Sequence, residues 1–292
     1  MQRDDTNQLN LPGGRVLSYD QYGNQDGLPV FFFHGTPGSR LDWGLFANGA
    51  IIDKLGIRLI AVDRPGMGHS TFQPGRRFLD WAQDVIDLAD ALNLEHFSVL
   101  GYSSGGAYAL ACAFKIHHRL LRVGVVSGDG PYYLPGLTDS ISPLALWYLY
   151  LSRRLPWFYR QIQRGVKWTA QYLPALFLAG FRSQLPDVDR EIFAQARVQQ
   201  TLLGTVRESM RHGARGAQWD TALMLGQWDF DPRAISIPVH LWYGEADHST
   251  SPAMGRYLAE QIPNSIVRFY PQEGHLSLLA RHTEEILCTL TG

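Results

Sequence analysis

Only two cysteines, Cys112 and Cys288, stand in 292 residues, and neither belongs to a metal-ligand spacing. Both fall in apolar stretches of helical character, so they read as reduced packing residues rather than a disulfide, which points to a cytoplasmic address. Neither sign of charge prevails: 26 Lys plus Arg meet 27 Asp plus Glu for a formal net charge of -1. No global field is then available to recruit nucleic acid or another polyanion. Long apolar runs are missing as well. No stretch of about 18 apolar residues could span a bilayer, and the opening MQRDDTNQLN lacks the apolar centre of a signal peptide. What is present is 45% hydrophobic and 18% charged residues, a globular composition in a chain long enough to bury about 75% of its extended surface.

The patterning alternates. LPGG (11–14) is turn chemistry that folds residues 6 to 11 back on the strand RVLSYDQYG (15–23). VFFFHG (30–35), IRLIAVDRPG (57–66), FSVLG (97–101) and LRVGVVSG (121–128) are short continuous apolar runs, the signature of strands buried on both faces. Helix-compatible segments separate them: LFANGAIIDKLG, FLDWAQDVIDLADALNL (78–94) and the alanine-rich GGAYALACAFKIH. This rhythm predicts parallel βαβ units with helices on both faces. From Pro131 to Pro232 it stops, leaving aromatic-rich helical segments interrupted by Pro135, Pro143, Pro156, Pro174 and Pro186. It resumes with IPVHLWYGEAD (237–247), a helix near 252–262, SIVRFY (265–270) and a closing helix near 276–290. The expected organisation is one α/β core, residues 1–128 and 233–292, carrying an inserted helical unit at 129–232.

Ligands of such sheets bind beyond the carboxyl ends of the strands, and there this chain carries reactive residue types. GYSSG (101–105) fits G-x-S-x-G once, at Ser103, which makes that hydroxyl the candidate nucleophile on a strand-to-helix turn. Alone, such a motif is as well explained by a glycine-rich loop of no chemical interest. HGTPG (34–38) adds a second loop, so the backbone N–H groups of Thr36 and Ser104 are the expected pair around a developing oxyanion. His34 is expected to brace its loop, and His69 to close the glycine-rich DRPGMGHS loop near the site. A serine needs a base, and the base an orienting acid. His275, in PQEGH just past the last strand, is the expected base, with His248 as rival; Asp247 in YGEAD is the expected acid, with Asp129 in SGDG as rival.

Taken together, HGTPGSR (34–40), DRPGMGHS (63–70), GYSSGG (101–106), YGEAD (243–247) and EGH (273–275) resemble the α/β-hydrolase superfamily, in its capped branch with a serine nucleophile. The match covers the chain outside the insertion. The resemblance implies a mainly parallel eight-stranded sheet whose second strand is antiparallel, a helical cap between strands six and seven, no cofactor and no metal. It also implies a catalytic set of Ser103, Asp247 and His275, with Thr36 and Ser104 as the oxyanion hole. Serine at 103 sets the chain apart from the dehalogenase and epoxide hydrolase branches, which place aspartate there.

The expected reaction is hydrolysis of a small to medium hydrophobic carboxylic ester through an acyl-enzyme, with Tyr102, Trp43 and Trp147 as substrate-binding side chains. A carbon–carbon bond hydrolase and a prolyl aminopeptidase would use the same three residues, and a ligand receptor could retain them without turnover. The segment LALWYLYLSRRLPWFYRQIQRGVKW (144–168) interleaves aromatics with Arg153, Arg154, Arg160, Arg164 and Lys167. Its simplest expectation is aromatics packed onto the core with arginines in water. The functional alternative is an apolar roof over a hydrophobic acyl or aromatic group, with arginines touching a carboxylate or an anionic lipid surface, and within it a small or medium ester is preferred to membrane lipid.

Overall fold

The structure is a computed structural model describing residues 6–46, 49–139 and 141–292. Residues 1–5 of the polar amino terminus and residues 47–48 of the LFANGAIIDKLG segment lie outside the described residues. In chain order the elements are β1 (Asn7–Asn10), β2 (Val16–Gly23), β3 (Leu28–Phe33), α1 (Trp43–Phe46), α2 (Gly49–Lys54), β4 (Ile57–Val62), α3 (Phe78–Ala91), β5 (Phe97–Tyr102), α4 (Gly105–Lys115) and β6 (Leu120–Val126). Among the described residues six helices follow without a strand: α5 (Pro143–Arg154), α6 (Pro156–Tyr172), α7 (Pro174–Ser183), α8 (Asp187–Phe193), α9 (Ala196–Ser209) and α10 (Arg215–Met224). Then come β7 (Val239–Gly244), α11 (Pro252–Gln261), β8 (Ser265–Tyr270) and α12 (His275–Thr291).

The eight strands form one sheet in the order β1-β2-β4-β3-β5-β6-β7-β8. β2 runs antiparallel to both neighbours, β1 and β4, and the remaining pairs are parallel. The chain leaves β3 for β4 on one side and returns to place β5 on the other. That reversal opens a crevice beyond the carboxyl ends of β3 and β5. His34 to Thr36 follow β3 and Ser103 follows β5, so the two glycine-containing loops meet there.

The continuous apolar runs are explained by burial on both sides of the sheet. Alternate residues of one strand serve different cores: Phe31 and Phe33 pack with α3 and α4, whereas Val30 and Phe32 pack toward α12 and the inserted helices α8 and α9. All four side chains are fully buried. Burial of each phenylalanine stabilises by about 1.5–3 kcal/mol. Three of the prolines expected to interrupt the insertion do mark its breaks, each by beginning a helix: Pro143, Pro156 and Pro174 occupy the first turns of α5, α6 and α7. A first-turn N–H has no intrahelical acceptor, so its absence in proline costs nothing there. Cys112 is buried as expected, but Cys288 is exposed, because it lies on the outer face of α12.

Candidate active site

The turn after β5 explains the run of small residues around Ser103. Ser103 has φ +54°, in the left-handed region that costs a non-glycine residue about 1–3 kcal/mol. The turn is held by Ser103 N–H donating to Val126 O at 3.0 Å and by Gly106 N–H donating to Ser103 O at 2.9 Å. The flanking glycines are required by contact. A Cβ on Gly101 would lie 2.7 Å from Gly106 Cα, one on Gly106 would lie 2.9 Å from Gly128 Cα, and one on Gly105 would strike the carbonyl of Phe33. With β5 and α4 this close, residue 103 is lifted clear of the backbone at the amino end of α4, whose first N–H groups point toward it.

On the opposite rim, His275 is the first residue of α12. Its Nδ1 lies 2.7 Å from Asp247 Oδ2, while Asp247 Oδ1 accepts the N–H groups of Ser249 and Thr250 at 2.7 and 2.9 Å. Asp247 is buried at the end of β7. The rival acid is engaged elsewhere: Asp129 Oδ1 accepts from Tyr132 Oη at 2.8 Å and Thr250 Oγ1 at 3.2 Å, and burial pushes its carboxyl up to about 6. The rival base, His248, is exposed. Burial works to lower the His275 pKa, but the carboxylates of Asp247, Asp189 and Asp129 outweigh it, and the imidazole titrates above its ordinary value.

Asp189, from the inserted helix α8, carries an unanticipated role. Its side chain accepts the N–H groups of His275, Leu276 and Ser277 at 2.9, 3.1 and 2.9 Å, capping α12 at the residue that bears the imidazole. A Cβ on Gly274 would lie 2.6 Å from this carboxylate, so glycine permits the approach. Tyr102 adds a contact from the other side: its hydroxyl donates to His275 O at 3.3 Å and its ring lies 5.0 Å from the imidazole.

A second inserted carboxylate, Asp220 of α10, braces the loop after β3. It accepts from Thr36 Oγ1 at 3.0 Å, Arg64 Nε at 2.8 Å, Tyr108 Oη at 2.7 Å and the Arg76 guanidinium. Burial alone would raise its pKa, but Arg64 and Arg76 hold it well below the usual carboxylate range. Arg64 also donates to the carbonyls of His34 and Gly35 and to the hydroxyls of Thr36 and Ser104. His34 braces the loop as expected, with Nδ1 2.7 Å from Gly35 O and Nε2 accepting Arg64 N–H at 3.1 Å. That pairing needs the neutral ring, in keeping with burial and the Arg64 charge depressing its pKa. Among the described residues, the backbone N–H groups of Thr36 and Ser104 donate to no protein acceptor. They are free for a ligand. His69 does not reach the site; it lies 3.4 Å from Glu208 of α9.

Thr36, Tyr102, Ser103, Ser104 and His275 line a single cavity of about 800 Å³ between the strand ends and the inserted helices. Two expected substrate-binding residues are absent from its walls. Trp43 is fully buried against Phe32, with ring centroids 5.2 Å apart, because it fills the core beneath α1. Trp147 faces outward from α5 and is 55% exposed, since its neighbours Tyr148 and Leu149 take the inward positions. The aromatics of α5 and α6 therefore divide: Tyr148 and Tyr159 stack 5.0 Å apart at the cavity and share Gln163 Nε2 as donor, whereas Trp147, Trp157 and Trp168 face out. Helical spacing alone does not separate the two sets, and the partners of Asp189 and Asp220 lie 86 or more residues away and left no local signal.

The model of the alpha/beta hydrolase fold matches residues 29–281. Over 273 residues, 90% of each chain, this protein is 25% identical to a bifunctional esterase/perhydrolase of Acinetobacter calcoaceticus. It is 40% identical over 97 residues, 32% of this chain, to a non-heme chloroperoxidase of Streptomyces lividans, and spans about a third of the length of the curated relatives it matches locally. A thermophilic esterase from Thermogutta terrifontis superposes with a TM-score of 0.67 at 21% identity, covering 99% of this chain and 100% of that one. An eight-stranded sheet with its second strand reversed, a serine on the turn after β5 and a family match across most of the chain agree: the protein belongs to the alpha/beta hydrolase fold family.

Proposed function

We propose that this alpha/beta hydrolase is a serine esterase acting on hydrophobic carboxylic esters through an acyl-enzyme, with α5 to α10 as a cap over the site. The observation that carries the reading is the buried Asp247 at 2.7 Å from Nδ1 of His275, a residue that lines the same cavity as Ser103. Asp247 keeps the proton on Nδ1 and leaves Nε2 as the base. Nε2 takes the Ser103 proton as Oγ attacks the ester carbonyl, and the tetrahedral oxyanion is held by the N–H groups of Thr36 and Ser104. Collapse expels the alcohol, protonated by His275. Water, deprotonated by the same imidazole, then attacks the acyl carbon, and loss of Ser103 Oγ releases the acid.

The cavity supports esters over peptide substrates with a free amino terminus. The two aspartates on its wall, Asp42 and Asp129, are already hydrogen-bonded to Gly35 N–H and Thr205 or to Tyr132 and Thr250, and burial pushes both up to about 6. Neither offers a free carboxylate to an ammonium group. Leu45, Val166, Leu176, Phe177 and Leu202 give the walls their apolar character. The test is labelling by a fluorophosphonate with the adduct mapped by mass spectrometry, beside release of nitrophenol from esters of increasing chain length. Labelling at residue 103 and turnover of medium chains are the expected results. Unlabelled Ser103 sinks the acyl-enzyme, and labelling without ester turnover redirects the reading to carbon–carbon bond hydrolysis or to a ligand receptor.

A further inference from the structure

The segment that forms α5, α6 and α7 has a composition unlike the rest of the molecule. Between Asp139 and Asp187 the chain carries no Asp or Glu but has six cations: Arg153, Arg154, Arg160, Arg164, Lys167 and Arg182. Among the described residues none of the six is paired with a carboxylate, whereas Arg15, Arg40, Arg64, Arg76 and Arg119 of the core all are. Arg153 and Lys167 reach only the carbonyls of Leu225 and Met210.

The same helices expose large apolar side chains in register. On α6, Trp157, Trp168 and Tyr172 recur at helical spacing and are 66%, 54% and 61% exposed. Arg160, Arg164 and Lys167 form the adjoining stripe of that helix. Leu144 and Trp147 form a like stripe on α5, 74% and 55% exposed. A groove of about 300 Å³ opens beside Arg164, Lys167, Trp168 and Tyr172. Indole and phenol rings flanked by cations are the side chains that settle at the boundary between headgroups and acyl chains. Water is a poor solvent for this face.

We propose that this face docks on an anionic phospholipid bilayer, the tryptophans entering the headgroup boundary and the unpaired cations meeting lipid phosphates. Charge complementarity selects this occupant over a second copy of the chain, because two such faces would set cation against cation. The mode is peripheral: no helix among the described residues is long and apolar enough to cross a membrane. Leu176 on α7 is 62% exposed and also lines the main cavity, so the apolar surface continues from the docking face to the candidate site. On the esterase reading, an acyl substrate dissolved in the bilayer would enter along that path.

The experiment is co-sedimentation of the full chain carrying Ser103→Ala with vesicles of phosphatidylcholine alone or mixed with phosphatidylglycerol, at low and high salt. Removing Ser103 makes the result independent of whether that residue attacks an ester. The expected result is binding to the mixed vesicles that weakens with salt, and a loss of about 10-fold or more in partitioning for Trp157→Ala/Trp168→Ala and for Arg160→Gln/Arg164→Gln. None of these four residues touches the candidate catalytic set, so in the Ser103 background the pairs keep turnover of a short soluble ester and an unchanged melting temperature. No binding to mixed vesicles, or equal binding by folded variants, overturns the proposal. So does a wild-type dimer in sedimentation velocity that the tryptophan pair abolishes, since the face would then belong to a second copy.

Discussion

The sheet and the inserted helices are built by different rules. In the sheet, β5 is buried along its whole length, and the ionic groups behind it, such as Arg64 and Asp220, are matched and enclosed. In the insertion, α7 has no buried residue, and the cations of α5 and α6 find no carboxylate among the described residues. The first region is made to hold a geometry and the second to meet something. Yet the division is not clean, because two aspartates cross it. Asp189 of α8 caps the helix of His275, and Asp220 of α10 anchors the loop of Thr36. The sheet thus carries the candidate reactive residues, while carboxylates of the insertion bond to the segments that hold two of them.

Substitutions can separate these contributions. The largest effect belongs to the sheet: Ser103→Ala is expected to lower kcat for a nitrophenyl ester on the order of 10⁶-fold with the fold intact, checked by steady-state kinetics and circular dichroism. Next is Asp247→Asn, which leaves His275 without its charged partner and is expected to cost on the order of 10⁴-fold in kcat. On the proposed mechanism the base works as neutral imidazole, so rate is expected to rise with pH through the His275 pKa. Since that pKa lies above its ordinary value in the wild type, the acid limb of kcat/KM should have its midpoint above about 6.5 and move to lower pH in the variant.

Crossing to the insertion, Asp220→Ala strands Arg64 and Arg76 in the interior and should cost about 3–5 kcal/mol of stability, read by urea unfolding. The sign follows from the depressed pKa of Asp220. Its contribution is present above the unfolded carboxyl value and is lost as pH falls through the folded one, so wild type and variant should converge in strong acid. Smallest is Asp189→Asn. It weakens three charge-assisted bonds at the start of α12 and should lower stability by about 1–3 kcal/mol. Removing that charge also lowers the His275 pKa, so the acid limb shifts down. If it stays fixed while stability drops, Asp189 only staples the helix.

The sheet was legible because its signals are local. Each strand is a short apolar run closed by glycine, and the reactive residues sit within a few positions of those ends, where strand order puts ligands. His275 and Asp247 could be named because the last two strands were readable, and the structure pairs them. The substrate side chains were less legible for a physical reason. An aromatic at helical spacing is equally suited to an inward or an outward face until its neighbours are known. Trp147 and Tyr148 are adjacent and point opposite ways, one to solvent and one to the cavity. Trp43 was assigned by chemistry alone, and a core position under α1 claims it. Asp189 and Asp220 act over separations of 86 and 184 residues from His275 and Thr36, which no short window can connect.

The crowding around the turn after β5 also sets how this protein can be varied. Gly101, Gly105 and Gly106 each abut backbone atoms, so a randomised library across 101–106 should return active clones with those three unchanged. Tyr102 is different: it lines the cavity, and its hydroxyl makes one long bond to a carbonyl. Selection for a new acyl group would begin at this phenol, within the limits set by its buried contacts with Phe46 and His275.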